Sequence, residues 1–177
     1  MVKRLIAVGL VTLAITVSGT EVPASAVVIQ QETKQVNQTF LIGNTGVLFD
    51  NTQEVNNAIK KLNKTVGKTW YVFSGATPQG WDCSGLTMWF YEQVGIQLEH
   101  RASKQQSAGV RTSTPKVGDL VVFKYKGYKT AYHVGIYIGD GNMIHSPKEG
   151  HRTTIESVAQ FAGDYSKVSY RQIVDTF

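Results

Sequence analysis

Apolar residues recur at helical spacing in two stretches of this chain. Val55, Ile59 and Leu62 stand four and three apart after the polar pair Asp50-Asn51, and predict a helix that ends near Gly67. Leu86, Phe90 and Val94 recur at spacing four with Trp89 on the same face, as a buried amphipathic helix requires. Asp82 stands at the N-cap of this second helix and Gly95 at its left-handed stop. The period then changes. Leu120-Val121-Val122-Phe123 reads as a buried strand, HVGIYI (133–138) as another, GDGN (139–142) as a hairpin turn, and Met143 to Ser146 as the return strand. Thr153 to Ile155 and Val168 to Val174 complete the expected sheet. Helices come first and an antiparallel sheet second, which is an α+β fold.

The region before the first helix reads differently. Lys3 and Arg4 precede an apolar run from Leu5 to Val17, and the small-residue triplet Ala24-Ser25-Ala26 follows Pro23. That order is a secretory signal peptide over residues 1–26 with an A-x-A cleavage site. The apolar run is short of the roughly 20 residues a membrane span needs; an uncleaved anchor is the alternative. The polar residues that follow read as an N-terminal tail or linker over 27–50, in which Leu41 to Phe49 forms a strand or a loop. Residues 51–177 make one domain, large enough for a core of its own. Its expected location is outside the cytoplasm: secreted, or in the cell envelope, extracellular or periplasmic.

Composition adds one constraint. The net charge of +5 is concentrated around one loop by Lys116, Lys124, Lys126 and Lys129. A basic exported surface is drawn to anionic polymers such as teichoic acid, to lipid head groups or to the wall, and nucleic acid is not an expected partner. A merely solvated lysine face is the plainer reading.

Cys83 is the only cysteine, so no intramolecular disulfide can form. A lone cysteine is more often a small core residue than a nucleophile. Here it sits at a helix start between Asp82 and Ser84, where the helix dipole favours thiolate, and a free thiol in an oxidising compartment needs burial or a role. Gly85 leaves room beside it for a substrate backbone. A cysteine nucleophile needs a base, and histidine is the usual one. His133 begins the best-patterned strand and His145 lies on its return; His100 and His151 lie in polar loops, where surface roles are expected.

WYVFSG (70–75), WDCSGL (81–86), RASKQQ (101–106), VGDLVVF (117–123) and HVGIYIGDGNMIHS (133–146) occur in this order. Together they resemble the NlpC-type, papain-like cysteine peptidases of bacterial cell walls. The resemblance implies a papain-like α+β domain with Cys83 as nucleophile, His133 as base and His145 as the third, orienting residue. It implies that Tyr71 points its hydroxyl into the site, and that Asp82, Ser84 and Arg101 shape a substrate subsite or the loop around it. Asp82 also reads as only a cap, with Arg101 its salt-bridge partner. Ser74 stands where the family often has a glycine, Glu99-His100 replaces a proline, and Val117 replaces another.

Hairpin geometry leaves the third residue open. A two-residue loop at Asp140-Gly141 would set His145 opposite Ile136, on the other sheet face from His133. A three-residue loop restores the face but sets it opposite Tyr137, roughly 13 Å along the strand from His133. Contact requires coiling, a bulge or a diagonal reach.

The activity implied is that of a secreted peptidoglycan hydrolase, cutting a stem-peptide amide next to D-Glu through acyl transfer by a thiolate–imidazolium pair. The backbone N–H of Cys83 and the Tyr71 hydroxyl would serve the oxyanion. An amidase or cross-bridge peptidase on the same scaffold, as in a phage lysin or antibacterial toxin, is the alternative; an immunity or inhibitor protein is then an expected partner. A catalytically inert wall-binding module is the reading from another class. No metal or organic cofactor is implied, and a monomer is expected. If charge directs binding, the mature chain should bind purified wall less well as salt rises; a sedimentation assay with unchanged binding at several hundred millimolar salt would count against that.

Overall fold

The computed structural model describes residues 39–41, 47–49 and 51–175. The expected signal peptide, its cleavage site and most of the expected tail lie outside the described residues. Within the tail two short strands pair antiparallel, β1 (Thr39–Leu41) with β2 (Val47–Phe49).

Helix α1 (Thr52–Asn63) buries Val55, Ala58 and Leu62 on one side, as the apolar spacing requires. A two-stranded hairpin follows, β3 (Ala76–Thr77) with β4 (Gly80–Trp81), and runs directly into α2 (Cys83–Glu92). The Asp82 side chain caps α2 by accepting the Gly85 N–H at 2.7 Å. At the far end Gly95 has φ +78° and the Ile96 N–H returns to the Tyr91 carbonyl, closing the helix in the left-handed way its glycine permits. The single turn α3 (Ala102–Gln105) comes next.

The remaining chain builds one antiparallel six-stranded sheet in the order β5-β10-β6-β7-β8-β9. Its strands are β5 (Val110–Thr112), β6 (Leu120–Tyr125), β7 (Ala131–Gly139), β8 (Asn142–His145), β9 (Thr154–Ser157) and β10 (Ser166–Gln172). A short helix, α4 (Val158–Ala162), links β9 to β10. The α+β reading holds. The edge strand β5, the β3–β4 hairpin and α4 were not legible: two- to five-residue elements carry too little periodicity to stand out.

Strand alternation divides the interior into two cores. Leu120, Val122, Val134, Ile136 and Ile144 pack with Val55, Leu62, Leu86 and Phe90 beneath α1 and α2. Val121, Phe123 and Met143 face the other way, against Val158 and Ala162 of α4 with Phe161 at their edge. Trp81 is fully buried just before Cys83; its indole N–H donates to the Thr153 hydroxyl at 2.7 Å, and its carbonyl accepts the Ser146 hydroxyl at 3.0 Å. Burying such a ring contributes roughly 3 kcal/mol and ties the approach to α2 to the end of the sheet.

The first turn of α2 is held from a second direction. The buried Gln105 amide donates to the carbonyls of Ser84 and Glu99 at 2.9 and 2.8 Å, and its oxygen accepts the Thr87 hydroxyl at 2.6 Å. Gln105→Ala removes all three bonds at once and leaves a cavity behind the first turn of α2. We predict a loss of about 3 kcal/mol in urea unfolding; a variant within 1 kcal/mol of wild type would mean that Gln105 does not fix α2.

Candidate active site

The β7–β8 hairpin turns through Asp140 and Gly141, both with positive φ (51° and 73°), as a two-residue loop with Gly139 opposite Asn142. The register then shifts between Tyr137 and Gly139, so that Ile138 is an extra residue and Tyr137 faces Met143 and Ile136 faces Ile144. One step further along this register, His145 comes opposite Gly135. It therefore shares a face with His133, two residues away on the neighbouring strand. Neither simple loop length produces this placement; the two-residue loop and the bulge together do.

Gly135 lies between the two histidines on β7. A Cβ there would stand 3.2 Å from that of His145 and 2.9 Å from the Met143 sulfur, so the missing side chain is what admits the second imidazole. His133 Nε2 and His145 Nδ1 are 2.8 Å apart, with the rings nearly perpendicular at 89°. The outer nitrogen of His145, Nε2, lies 3.1 Å from a Glu156 carboxylate oxygen. Phe161 of α4 covers both rings, at centroid distances of 4.6 Å from His133 and 4.8 Å from His145. Both imidazoles are buried. Burial, with His145 as a second cause, holds His133 well below the usual histidine range, and burial lowers His145 to about 4.

Cys83 approaches from the other layer of the fold. Its partly buried thiol receives the backbone N–H of Val134, the residue after His133, together with those of Ser84 and Cys83 itself. These donors lower the thiol pKa, as a helix N-terminus should. Burial is the larger effect, the Asp82 carboxylate adds to it, and the thiol is pushed up to about 11. Burial thus works against the thiolate that the helix end favours, and against the charged form of both imidazoles. The Tyr71 hydroxyl is raised by burial first, and then by the charges of Cys83, Asp82 and Glu149.

Asp82 does more than cap. Oδ1 takes the Gly85 N–H, the Ser84 hydroxyl at 2.9 Å and His100 Nε2 at 3.0 Å, while Oδ2 takes the Ser74 N–H at 3.1 Å. Its partner from the segment before α3 is His100 and not Arg101, which is exposed and outside this network. Ser84 is buried with its hydroxyl turned to Asp82, so the side chain presents nothing to a ligand. The space beside Gly85 is also taken: a Cβ there would run into the Gly75 carbonyl oxygen and approach His100 Nε2 at 2.9 Å. The close approach that Gly85 permits is by the chain's own loop, not by a substrate. Ser74, in the place of a glycine, adopts φ 58°, and its N–H bond to Asp82 holds it there.

His100 and Glu156 are the residues that the linear sequence did not bring forward. His100 looked like a loop histidine; only the packing of the segment before α3 against the start of α2 brings it to Asp82. Glu156 has no spacing signal, since its place depends on the β8–β9 register.

With fold and site in view, comparison with known proteins is specific. Residues 67–174 match the model of the NlpC/P60 family, and the chain belongs to this family. It is 38% identical over 109 residues to the murein DD-endopeptidase MepH of Escherichia coli, covering 58% of this chain and 40% of that protein. It is 40% identical over 81 residues to a gamma-D-glutamyl-L-lysine dipeptidyl-peptidase of Bacillus cereus, covering 44% of this chain and 24% of that one. Among solved structures, the NlpC/p60 domain of the peptidoglycan hydrolase SagA superposes with a TM-score of 0.55 at 36% identity, covering 63% of this chain and 96% of that domain. The chain thus spans less than half the length of these curated relatives.

The buried histidines carry a consequence for stability. Because the folded-state pKa of His145 lies below the ordinary 6.5, the unfolded chain binds more protons between pH 6.5 and about 4. Stability should therefore fall as pH drops through that window. Replacing His145 with Asn should flatten the fall in thermal midpoint; an identical pH dependence in both proteins would show that His145 is not buried neutral.

Proposed function

We propose that this chain is a secreted cysteine endopeptidase of peptidoglycan, with residues 51–177 as its peptidase domain, Cys83 as nucleophile, His133 as base and His145 as the residue that orients it. The observation that carries the reading is the convergence of three elements. The Cys83 sulfur sits on the backbone N–H next to His133, and His133 Nε2 is engaged by His145. That leaves His133 Nδ1 as the ring nitrogen available to the thiol.

Starting from a neutral pair, the thiol proton passes to His133 Nδ1 as the sulfur adds to the peptide carbonyl. The low-dielectric surroundings that disfavour an isolated thiolate also strengthen its attraction to the imidazolium formed beside it. We assign the backbone N–H of Cys83 and the Tyr71 hydroxyl as donors to the oxyanion. His133 then protonates the leaving amine and activates the water that releases the acyl group. His145 accepts the His133 Nε2–H throughout and keeps the ring aligned. Asp82, tied to Ser74, Ser84, Gly85 and His100, fixes the loop that presents Cys83; Arg101, exposed at the start of α3, is available for a substrate carboxylate.

The substrate is a stem-peptide amide next to D-Glu, a reading supported by the similarity to a gamma-D-glutamyl-L-lysine dipeptidyl-peptidase. The similarity to a DD-endopeptidase favours a cross-bridge amide as the second reading. Mass spectrometry of muropeptides released from purified peptidoglycan, beside a Cys83→Ala control, separates the two. Fragments ending at D-Glu that vanish in the control are expected. Fragments cut at the cross-bridge would select the second reading, and intact wall with both proteins, on more than one wall chemotype, would overturn the enzyme reading.

A further inference from the structure

We infer that Glu156 is a positioning residue: through His145 it fixes which nitrogen of each imidazole carries the proton, and so delivers a free lone pair at His133 Nδ1 to Cys83. The inference rests on the proposed Cys83–His133 chemistry and extends it by one strand.

The three side chains lie on one diagonal across the sheet. His133 is on β7, His145 on β8 opposite Gly135, and Glu156 on β9 directly opposite Met143. Each step moves one strand over and two residues along, always on the face that holds Phe123, Met143 and Phe161. Diagonal neighbours of this kind are within reach of long side chains, and strand twist shortens one of the two diagonals. The contacts of 2.8 Å and 3.1 Å close the line.

The proton assignment follows from the inventory of donors and acceptors. A carboxylate only accepts hydrogen bonds, so His145 must present Nε2–H to Glu156. A neutral imidazole carries one N–H, and burial keeps His145 neutral well below its ordinary pKa, so its Nδ1 is a lone pair. His133 must then present Nε2–H to that lone pair, and its own Nδ1 is left bare. When the Cys83 S–H bond breaks, the proton forms a new N–H at His133 Nδ1. The Nε2–H of His133 still donates to His145, and no other bond changes. The opposite assignment, Nδ1–H on both rings, would leave two acceptors facing each other at 3.1 Å and would block His133 Nδ1.

Glu156 is suited to this by position. It is half-buried: one oxygen meets the covered His145 while the side chain also lines an open groove of about 880 Å³ with Trp70, Lys148, His151 and Arg152. Exposure to solvent on that side, in a groove that Lys148 and Arg152 also line, lowers the cost of keeping a charge next to the dry pair. Glu156 belongs to neither apolar core, so its removal need not unfold the sheet.

The test reads tautomers and turnover separately. Long-range proton–nitrogen NMR on histidine-labelled protein reports which nitrogen of each ring is protonated, without substrate. Wild type is expected to show Nε2–H on both His133 and His145. Glu156→Ala, and Glu156→Gln as the isosteric variant that keeps the fold if the alanine form does not, should shift both rings toward a mixture. On muropeptides prepared from purified wall, kcat should fall on the order of tenfold with KM moved less than about twofold. Unchanged tautomers in the folded variants, or shifted tautomers with kcat retained, would overturn the inference. Loss of all Cys83-dependent cleavage in wild type would instead remove the enzyme reading, and the NMR result would still decide the role of Glu156.

Discussion

Were Ile138 paired regularly instead of bulged, the two-residue hairpin between β7 and β8 would set His145 opposite Ile136, on the face that packs beneath α1 and α2. An imidazole there would lie on the apolar face of Leu120 and Val122, away from His133, and Ile144 would turn out of that core. The bulge shifts β8 by one residue against β7, and a one-residue shift moves every side chain of the strand to the other face. His145 then arrives opposite Gly135, with His133 on one diagonal and Glu156 on the next. Ile144 goes to the α2 core and Met143 to the α4 core by the same shift. The packing of both cores and the polar line thus depend on a single register.

The surroundings of this line are dry, and dryness sets its electrostatics. Phe161 covers both imidazoles, and burial is the first cause of every large pKa shift in the site. Three backbone N–H groups around the sulfur work toward the thiolate and are outweighed. Burial in a site built this way works against charge on the thiol and on both imidazoles.

Asp82 organises the opposite wall. One carboxylate caps α2, holds Ser74 in its left-handed conformation and pairs with His100. Gln105 secures the same turn from behind through the Ser84 carbonyl and Thr87. Two departures from the resembled family, Ser74 and the Glu99-His100 pair, come together at this carboxylate. They are coupled through one acceptor although 26 positions apart in the chain.

Local pattern alone determined the elements that are long or capped: α1, α2 with Asp82 and Gly95, and the β6, β7 and β8 strands. It also determined the order of the motifs that carry Cys83, His133 and His145. These are legible because spacing and caps are properties of neighbouring residues. The tertiary structure decided the rest. Whether His145 meets His133 turned on one bulged residue, and the partner of Asp82 turned on how the segment at His100 packs against α2. Glu156 entered through the pairing of β9 with β8. Each is a contact between residues distant in sequence or a two-way choice of sheet face, and linear spacing carries no information about which strand lies beside which, or in what register. The thiol pKa belongs to the same class, since burial is a property of the whole fold and overrode the local pull of the helix end.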